Sequence, residues 1–316
     1  MGRSRNTKVT FHERPIFADQ IGTVSDPMRL PARCGIVLQG PIKREDDFTL
    51  NTVRLYRRHF PQAEVIVSTW NTEAAAVLEE LRGAGATVLT STPPAMVGSY
   101  TVNLQIVSSF AGVKWCCEKG LAYVLKTRAD QRFYAPNAVE YMAALLAQFP
   151  VRPGFAQKAR ILGISLDTFK YRLYGLSDHL IFGTSEDMHR YWSVAHDTRP
   201  VREPVNPTWH EASLRNIVEV YFVTEYLKAI GRPVTWTLED SLAAYGEHFC
   251  VIDTDDIDLY WLKYEAHKER RMLAYDAIKN TQELTFRDWL LLARGSVDAA
   301  KIPQAGLHVP YGGRMY

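Results

Sequence analysis

A doubly wound α/β sheet is the fold class this sequence predicts, and three features predict it. Apolar runs of strand length recur at 35–38, 64–70, 86–89 and 123–127 with little polar alternation, as strands buried on both faces require. Stretches of helical spacing follow or separate them, so that strand alternates with helix four times within about 100 residues, the pattern of right-handed crossovers. Each run then stops at polar or turn-forming residues.

The elements follow in order. Gly35-Ile36-Val37-Leu38 is the first strand and stops at Gln39-Gly40-Pro41. Asp46 or Asp47 caps a helix to about His59, with Leu50, Val53, Leu55 and Tyr56 at its apolar positions. Residues 64–70 form the second strand, 72–82 the second helix and 86–89 the third strand. An amphipathic helix over 101–119 is closed by Gly120, and 123–127 is the fourth strand. Beyond it, 161–166 and 179–183 are further apolar runs, and Ser185-Glu186-Asp187-Met188 resembles a helix start. Residues 216–230 form a strong amphipathic helix stopped by Gly231-Arg232-Pro233, and 234–238 reads as another strand. From Asp253 the chain turns charged and helical to about Arg294. The expected organisation is an N-terminal arm over 1–32, one α/β domain over 33–255 and a helical segment over 256–316 packed on it.

Composition removes several function classes. A hydrophobic share of 47% with 23% charged residues in 316 describes a folded globular chain. Balanced charge, 37 Lys+Arg against 35 Asp+Glu, speaks against a polybasic nucleic-acid binder, so no nucleic acid is expected as partner. The apolar runs fall far short of the roughly 20 residues that cross a bilayer, and no apolar stretch follows the basic start. Asn6 breaks the myristoylation pattern after Gly2. Cys34, Cys116, Cys117 and Cys250 fit neither a zinc spacing nor a disulfide framework. Their apolar neighbours suggest buried free thiols and a cytoplasmic location. No GxGxxG, GxxxxGK[ST] or GxSxG motif occurs, against dinucleotide oxidoreductases, P-loop NTPases and α/β-hydrolases. Four Asp within 253–258 lack the glycine and terminal Glu of a calcium loop and read as a solvated helix start. Lys268, Arg270 and Arg271 form a short cationic run that a solvated helix face explains better than an anionic membrane surface.

In such sheets ligands bind beyond the carboxyl ends of the strands. Those ends are Gln39-Gly40-Pro41, Thr69-Trp70-Asn71 and Arg128-Ala129-Asp130-Gln131. The fourth strand is the most informative, because Lys126, Arg128 and Asp130 place charge at the mouth of the cleft. An anionic ligand such as a nucleoside diphosphate needs that arrangement. Lys126 or Arg128 would neutralise its oxygens, and Asp130 would hold a divalent metal against them. The structural alternative is an Arg128–Asp130 ion pair closing a loop.

Four segments occur in a telling order: Val37-Leu38-Gln39-Gly40-Pro41-Ile42, Thr52-Val53-Arg54-Leu55-Tyr56-Arg57, Ile66-Val67-Ser68-Thr69-Trp70 and Lys126-Thr127-Arg128-Ala129-Asp130-Gln131-Arg132. With Asn103-Leu104-Gln105-Ile106-Val107-Ser108 and Ser177-Asp178-His179-Leu180-Ile181-Phe182-Gly183, they resemble the WavE family of lipopolysaccharide-synthesis proteins over most of 33–265. That family is similar to GT-A glycosyltransferases. The resemblance implies a Rossmann-like mixed sheet and sugar transfer from a nucleotide-activated donor to a growing lipopolysaccharide or capsular glycan. A glycan or lipid-linked glycan would be the acceptor, with peripheral contact at the inner face of the membrane. GT-A enzymes usually carry a DxD after the fourth strand; Arg128-Ala129-Asp130 stands at that place. Arg128 for the first Asp leaves one carboxylate for Mg²⁺ or Mn²⁺, with His248 as a second candidate ligand, and puts metal dependence in doubt. By the same resemblance, Gln39, Gly40 and Thr69 at strand ends, and Asn103 and Gln105 early in a helix, would contact the nucleoside. Inverting transfer needs a carboxylate base; Glu219, at a helix start ahead of a late strand, is the first candidate and Asp178 the second. A sugar-phosphate nucleotidyltransferase and a non-catalytic nucleotide- or glycan-binding module are the alternatives. The first should show a Gly-rich phosphate loop after the first strand, which Gln39-Gly40-Pro41 does not supply.

Overall fold

The computed structural model describes residues 14–20, 33–199, 207–264 and 283–310. The strands are β1 (Cys34–Gln39), β2 (Glu64–Trp70), β3 (Thr87–Ser91), β4 (Tyr123–Arg128), β5 (Gln131–Phe133), β6 (Ile161–Ile164), β7 (Ile181–Thr184), β8 (Phe249–Ile252) and β9 (Leu259–Trp261). The α-helices are α1 (Phe48–His59), α2 (Ala75–Gly83), α3 (Val102–Glu118), α4 (Ala138–Gln148), α5 (Ser185–Trp192), α6 (Trp209–Leu214), α7 (Val218–Ala229), α8 (Leu238–His248) and α9 (Phe286–Ala293).

Seven strands form one mixed sheet in the order β3-β2-β1-β4-β7-β6-β8. The first four are parallel, as the alternating pattern requires. β7 then runs antiparallel to both β4 and β6, while β8 runs parallel to β6. Every residue of β1 is buried, which explains its unbroken apolar run. α3 lies close over β1: a Cβ on Gly112 would stand 2.4 Å from Val37 Cγ1, so no larger residue fits without a shift. Gly40 leaves β1 at φ +108°, a conformation that other residues rarely adopt, with open space where a side chain would be.

β5 and β9 pair as a separate antiparallel ribbon, with Gln131 opposite Trp261. Arg132 in that ribbon is 1% exposed. It donates to the carbonyls of Ile16 and Phe48 and to Thr52 Oγ1, so part of the N-terminal arm is strapped to the ribbon. The four cysteines are free, three of them buried, and burial pushes the Cys116 thiol up to about 12.

Three expected elements differ. Asp47 takes the N-cap of α1, but its side chain makes no cap bond. Residues 234–238 form no strand. The Thr237 side chain accepts from the Asp240 N–H and caps α8, and Asp240 is drawn to Arg232 and to the Thr235 N–H. The late strand is therefore β8, on the other side of α8. Beyond 253, the described residues are α-helical only at 286–293; Lys268, Arg270 and Arg271 lie outside the described residues. Among the described residues, no helix is long and apolar enough to cross a membrane.

Candidate functional site

Strand direction decides which loops meet. β4 delivers Arg128 and Asp130 at its carboxyl end. Because β7 is antiparallel to β4, the turn before β7 brings Asp178 and His179 to that same edge. β6 ends there as well, since it opposes β7, and it delivers Asp167. The first turn of α7 adds Glu219.

Arg128 grips Asp130 through both nitrogens of a fork, Nε to Oδ1 at 2.8 Å and Nη2 to Oδ2 at 2.9 Å. Its guanidinium stacks 5.4 Å from the Trp261 ring. Burial works to raise the Asp130 carboxyl, but Arg128, the Trp261 side chain and His179 outweigh it and hold the group below its ordinary value. The ion pair weighed from sequence is thus present.

Lys126 is fully buried. Its Nζ donates to the Asp178 carbonyl at 2.6 Å and lies 4.8 Å from the Trp192 ring. Burial lowers the ammonium to about 8, opposed by the Asp178 charge. Asp178 is pushed up by burial and pulled down further by Lys126, His179, Arg128 and the Gln105 side chain, ending below the usual carboxylate value. Its Oδ2 is buried with no hydrogen bond among the described residues.

Glu219 goes the other way. Burial raises its carboxyl above 4.5; Arg172, with Nη1 at 3.4 Å, opposes this, while the charges of Asp178 and Asp167 add to it. Two neighbouring carboxyls are thereby driven apart, one held ionised and one poised to accept a proton at higher pH, the division of labour acid–base chemistry uses. Arg172 is 2% exposed and also donates to the carbonyls of Asp167 and Gly175. His179 contacts Gln131 Nε2 through Nδ1 at 3.2 Å and Asp167 Oδ2 through Nε2 at 3.1 Å, and its ring centroid is 4.3 Å from that of Trp261. The buried hydroxyls of Tyr191 and Tyr245 have no hydrogen bond among the described residues, and both feel the Glu219 charge. Such a concentration of unsatisfied buried polar atoms calls for water or ligand.

Lys126, Arg128, Asp130, Gln105, Asp178 and Glu219 are thus brought together. Gln39 and Thr69 are buried at neighbouring strand ends, Gln39 donating to Ser108 Oγ at 2.8 Å and Thr69 to Glu73 Oε1 at 3.3 Å. Gly40 between them is buried, with no atom within 4 Å of where a Cβ would stand. Asn103 is a correction. Its amide donates to the Met96 and Asp197 carbonyls and its oxygen accepts from the Asp197 N–H, so both donors brace two loops and none is left for a base edge.

His248 is a second correction. It precedes β8, which is parallel to β6 and antiparallel to β7, so it lies at the opposite edge of the sheet from Asp130. There Nδ1 bonds Gln157 Oε1 at 2.8 Å and the ring packs edge-on against Phe155. Burial, with Arg232 and Arg160, depresses the imidazole to about 4. An unfolded His takes up its proton near 6.5, so the unfolded chain gains protons first as pH falls. Stability is therefore expected to fade between about pH 6.5 and about pH 4, by up to about 3 kcal/mol. His248→Gln should flatten that decline in melting temperature; an unchanged pH profile would contradict the buried neutral imidazole.

A divalent metal does not fit this donor set. Both oxygens of Asp130 are engaged by Arg128, His248 is remote, and among the described residues no group of three or more His, Cys, Asp or Glu could hold an ion. An open concavity of about 500 Å³ lined by Cys117, Ser185, His189 and Arg190 lies where β7 ends, at the edge away from the charged cluster, and carries none of these residues.

Sequence reasoning missed Asp167, Arg172 and Trp261, which carry no local signal. His179 stood within a quoted motif but was given no role.

Comparison with known proteins adds a family. The sequence model described as WavE lipopolysaccharide synthesis matches residues 34–216, more than half of the chain and all of the cluster except Glu219, Tyr245 and Trp261. No curated protein matches. Among solved structures, a mannosyltransferase from Pyrobaculum calidifontis in complex with GDP-Man and Mn²⁺ shares 13% identity over 90% of this chain and 91% of that one, with a TM-score of 0.35. A Bacillus anthracis protein assigned as a glucose-1-phosphate thymidylyltransferase, in complex with a sucrose, shares 12% over 62% and 83%, with a TM-score of 0.33. Mannose-1-phosphate geranyltransferase from Thermus thermophilus shares 12% over 72% and 88%, with a TM-score of 0.29. Superpositions this loose assign no residue and no activity to this chain.

Proposed function

The chain belongs to the WavE lipopolysaccharide-synthesis family, and from that premise we propose that it is a glycosyltransferase moving a sugar from a nucleotide-activated donor to a lipopolysaccharide or capsular glycan under construction. The observation that carries the reading is the meeting, at the carboxyl edge of one sheet, of the Arg128–Asp130 pair with two carboxyls whose proton affinities are driven apart.

In this reading residues 33–255 are the catalytic domain, and the described part of the C-terminal chain at 283–310 packs on it. Arg128 contacts the donor diphosphate, Asp130 holds the guanidinium in place, and Gly40 stands beside the nucleoside. Glu219 takes the proton from the acceptor hydroxyl as that oxygen attacks the anomeric carbon. The bond from sugar to phosphate breaks, the diphosphate leaves, and the configuration inverts. Arg172 holds the Glu219 carboxyl in place. Asp178, kept ionised beside Lys126, accepts acceptor or donor hydroxyls.

A thermal-shift screen of UDP, GDP, dTDP and CDP, with their sugar conjugates, tests it. A ligand at 100 times its dissociation constant adds about 2.7 kcal/mol to stability. One nucleoside should raise the melting temperature of the wild type and fail to do so with Asp130→Ala. If no nucleotide shifts the protein, the donor site is wrong and a non-catalytic module is the better reading.

A further inference from the structure

Three aspartates stand at the carboxyl edge where a GT-A-like sheet would gather a divalent ion, and the carboxylates of Asp130 and Asp167 are each in contact with a basic side chain of the protein. Asp130 is held by the Arg128 fork at 2.8 and 2.9 Å. Asp167 contacts His179 Nε2 at 3.1 Å. Asp178 stands near Lys126, whose Nζ is anchored on the Asp178 backbone carbonyl at 2.6 Å, while the Asp178 Oδ2 makes no hydrogen bond among the described residues. His179 is within electrostatic reach of Asp130 and Asp178 as well as bonded to Asp167. Its ring is fixed from the other side by Gln131 and packed against Trp261.

A hard divalent cation takes six or more oxygen ligands and is usually anchored by one or two carboxylates with free lone pairs. To enter here it would have to break the Arg128 fork at Asp130 or the His179 contact at Asp167, and Asp178 alone offers one carboxylate. Among the described residues no group of three or more His, Cys, Asp or Glu could hold an ion. A diphosphate faces no such obstacle. Its oxygens match the planar guanidinium fork, and Asp130 fixes that fork at the strand end. Arg128 is also the most open of the three bases, with 23% side-chain exposure, whereas Lys126 is sealed and His179 is 7% exposed. The Trp261 ring under the guanidinium limits where the fork can swing.

We propose that this protein binds the diphosphate of its nucleotide donor without a divalent metal, Arg128 making the contact and His179 and Lys126 supplying the fixed basic surround. The proposal rests on the reading of the chain as a nucleotide-sugar transferase, and it names the chemistry of that site: a pyrophosphate group recognised by guanidinium in place of Mg²⁺ or Mn²⁺.

Calorimetric titration of the full chain with UDP, GDP, dTDP and CDP decides it, each run in excess EDTA and again with Mn²⁺ or Mg²⁺. One nucleoside diphosphate should bind in EDTA, with a dissociation constant that metal changes by less than about three-fold, and Arg128→Ala should weaken it at least about ten-fold, with Arg128→Lys recovering only part. The matching nucleoside monophosphate should lose most of the Arg128 dependence, which a purely structural role would not produce. Binding that appears only when metal is added overturns the proposal and leaves the transferase reading standing. Binding in neither condition removes the transferase reading itself. Should the Arg128 variants fail to fold, the wild-type comparison with and without metal still separates these outcomes.

Discussion

Glu219→Gln is expected to reduce turnover by about 10² to 10⁴-fold, the range a positioned general base supplies, while the melting temperature and nucleotide binding stay near wild type. The amide keeps the shape and the contact with Arg172 Nη1 at 3.4 Å, so the loss isolates proton transfer. The pH dependence carries the sharper signature. A base works only when deprotonated, and the Glu219 carboxyl lies above 4.5 because burial and the Asp178 and Asp167 charges outweigh Arg172. The acid limb of kcat/KM should therefore sit above the ordinary carboxylate range, and activity should fall as pH drops through it. Asp178→Asn removes one of the charges that raise Glu219, so that limb should move to lower pH in the variant. Wild-type turnover in Glu219→Gln, or a limb unmoved by Asp178→Asn, would transfer the base role elsewhere.

Trp289→Ala should cost about 3–5 kcal/mol, as deleting a buried indole usually does. Trp289 is fully buried in α9. Its indole N–H donates to the carbonyls of Tyr245 and Phe249 at 3.1 and 2.7 Å, and its ring meets Phe149 edge-on, centroids 5.0 Å apart. Those partners sit on α8, β8 and the end of α4, so one residue from beyond 255 closes the outer edge of the sheet. Chemical denaturation should show the loss as one cooperative transition at lower denaturant concentration. A separate early transition with the rest intact would show that the C-terminal segment folds apart from the domain.

The first half of the fold was readable because its signals are local. Residues 34–39, 64–70 and 123–128 are buried on both faces of a parallel sheet, and such strands show as apolar runs. The run at 234–238 has the same texture, yet Thr237 caps a helix and Asp240 binds Arg232. Capping and a cation more than two residues away overrode strand propensity. α4 and the β5–β9 ribbon escaped notice, the ribbon because three-residue strands carry almost no periodic signal. At the site, the charge pair of Arg128 and Asp130 could be read from two nearby positions. Asn103 could not, since its partners at Met96 and Asp197 come from separate loops.

By itself, then, the sequence determined a parallel β1–β4 core, a charged carboxyl end on β4 and the family to which the chain belongs. Tertiary structure alone decided which other side chains would stand beside that end. β7 reverses direction against β4, and this brings Asp178, His179 and, through β6, Asp167 to Arg128. The same directions put His248 at the far edge of the sheet. Strand texture is written into neighbouring residues, whereas strand direction is fixed by hydrogen-bonded pairing between segments far apart in the chain, such as Lys126 with Ile181. A buried carboxyl's proton affinity is set later still, by the burial and the charges that this pairing assembles around it.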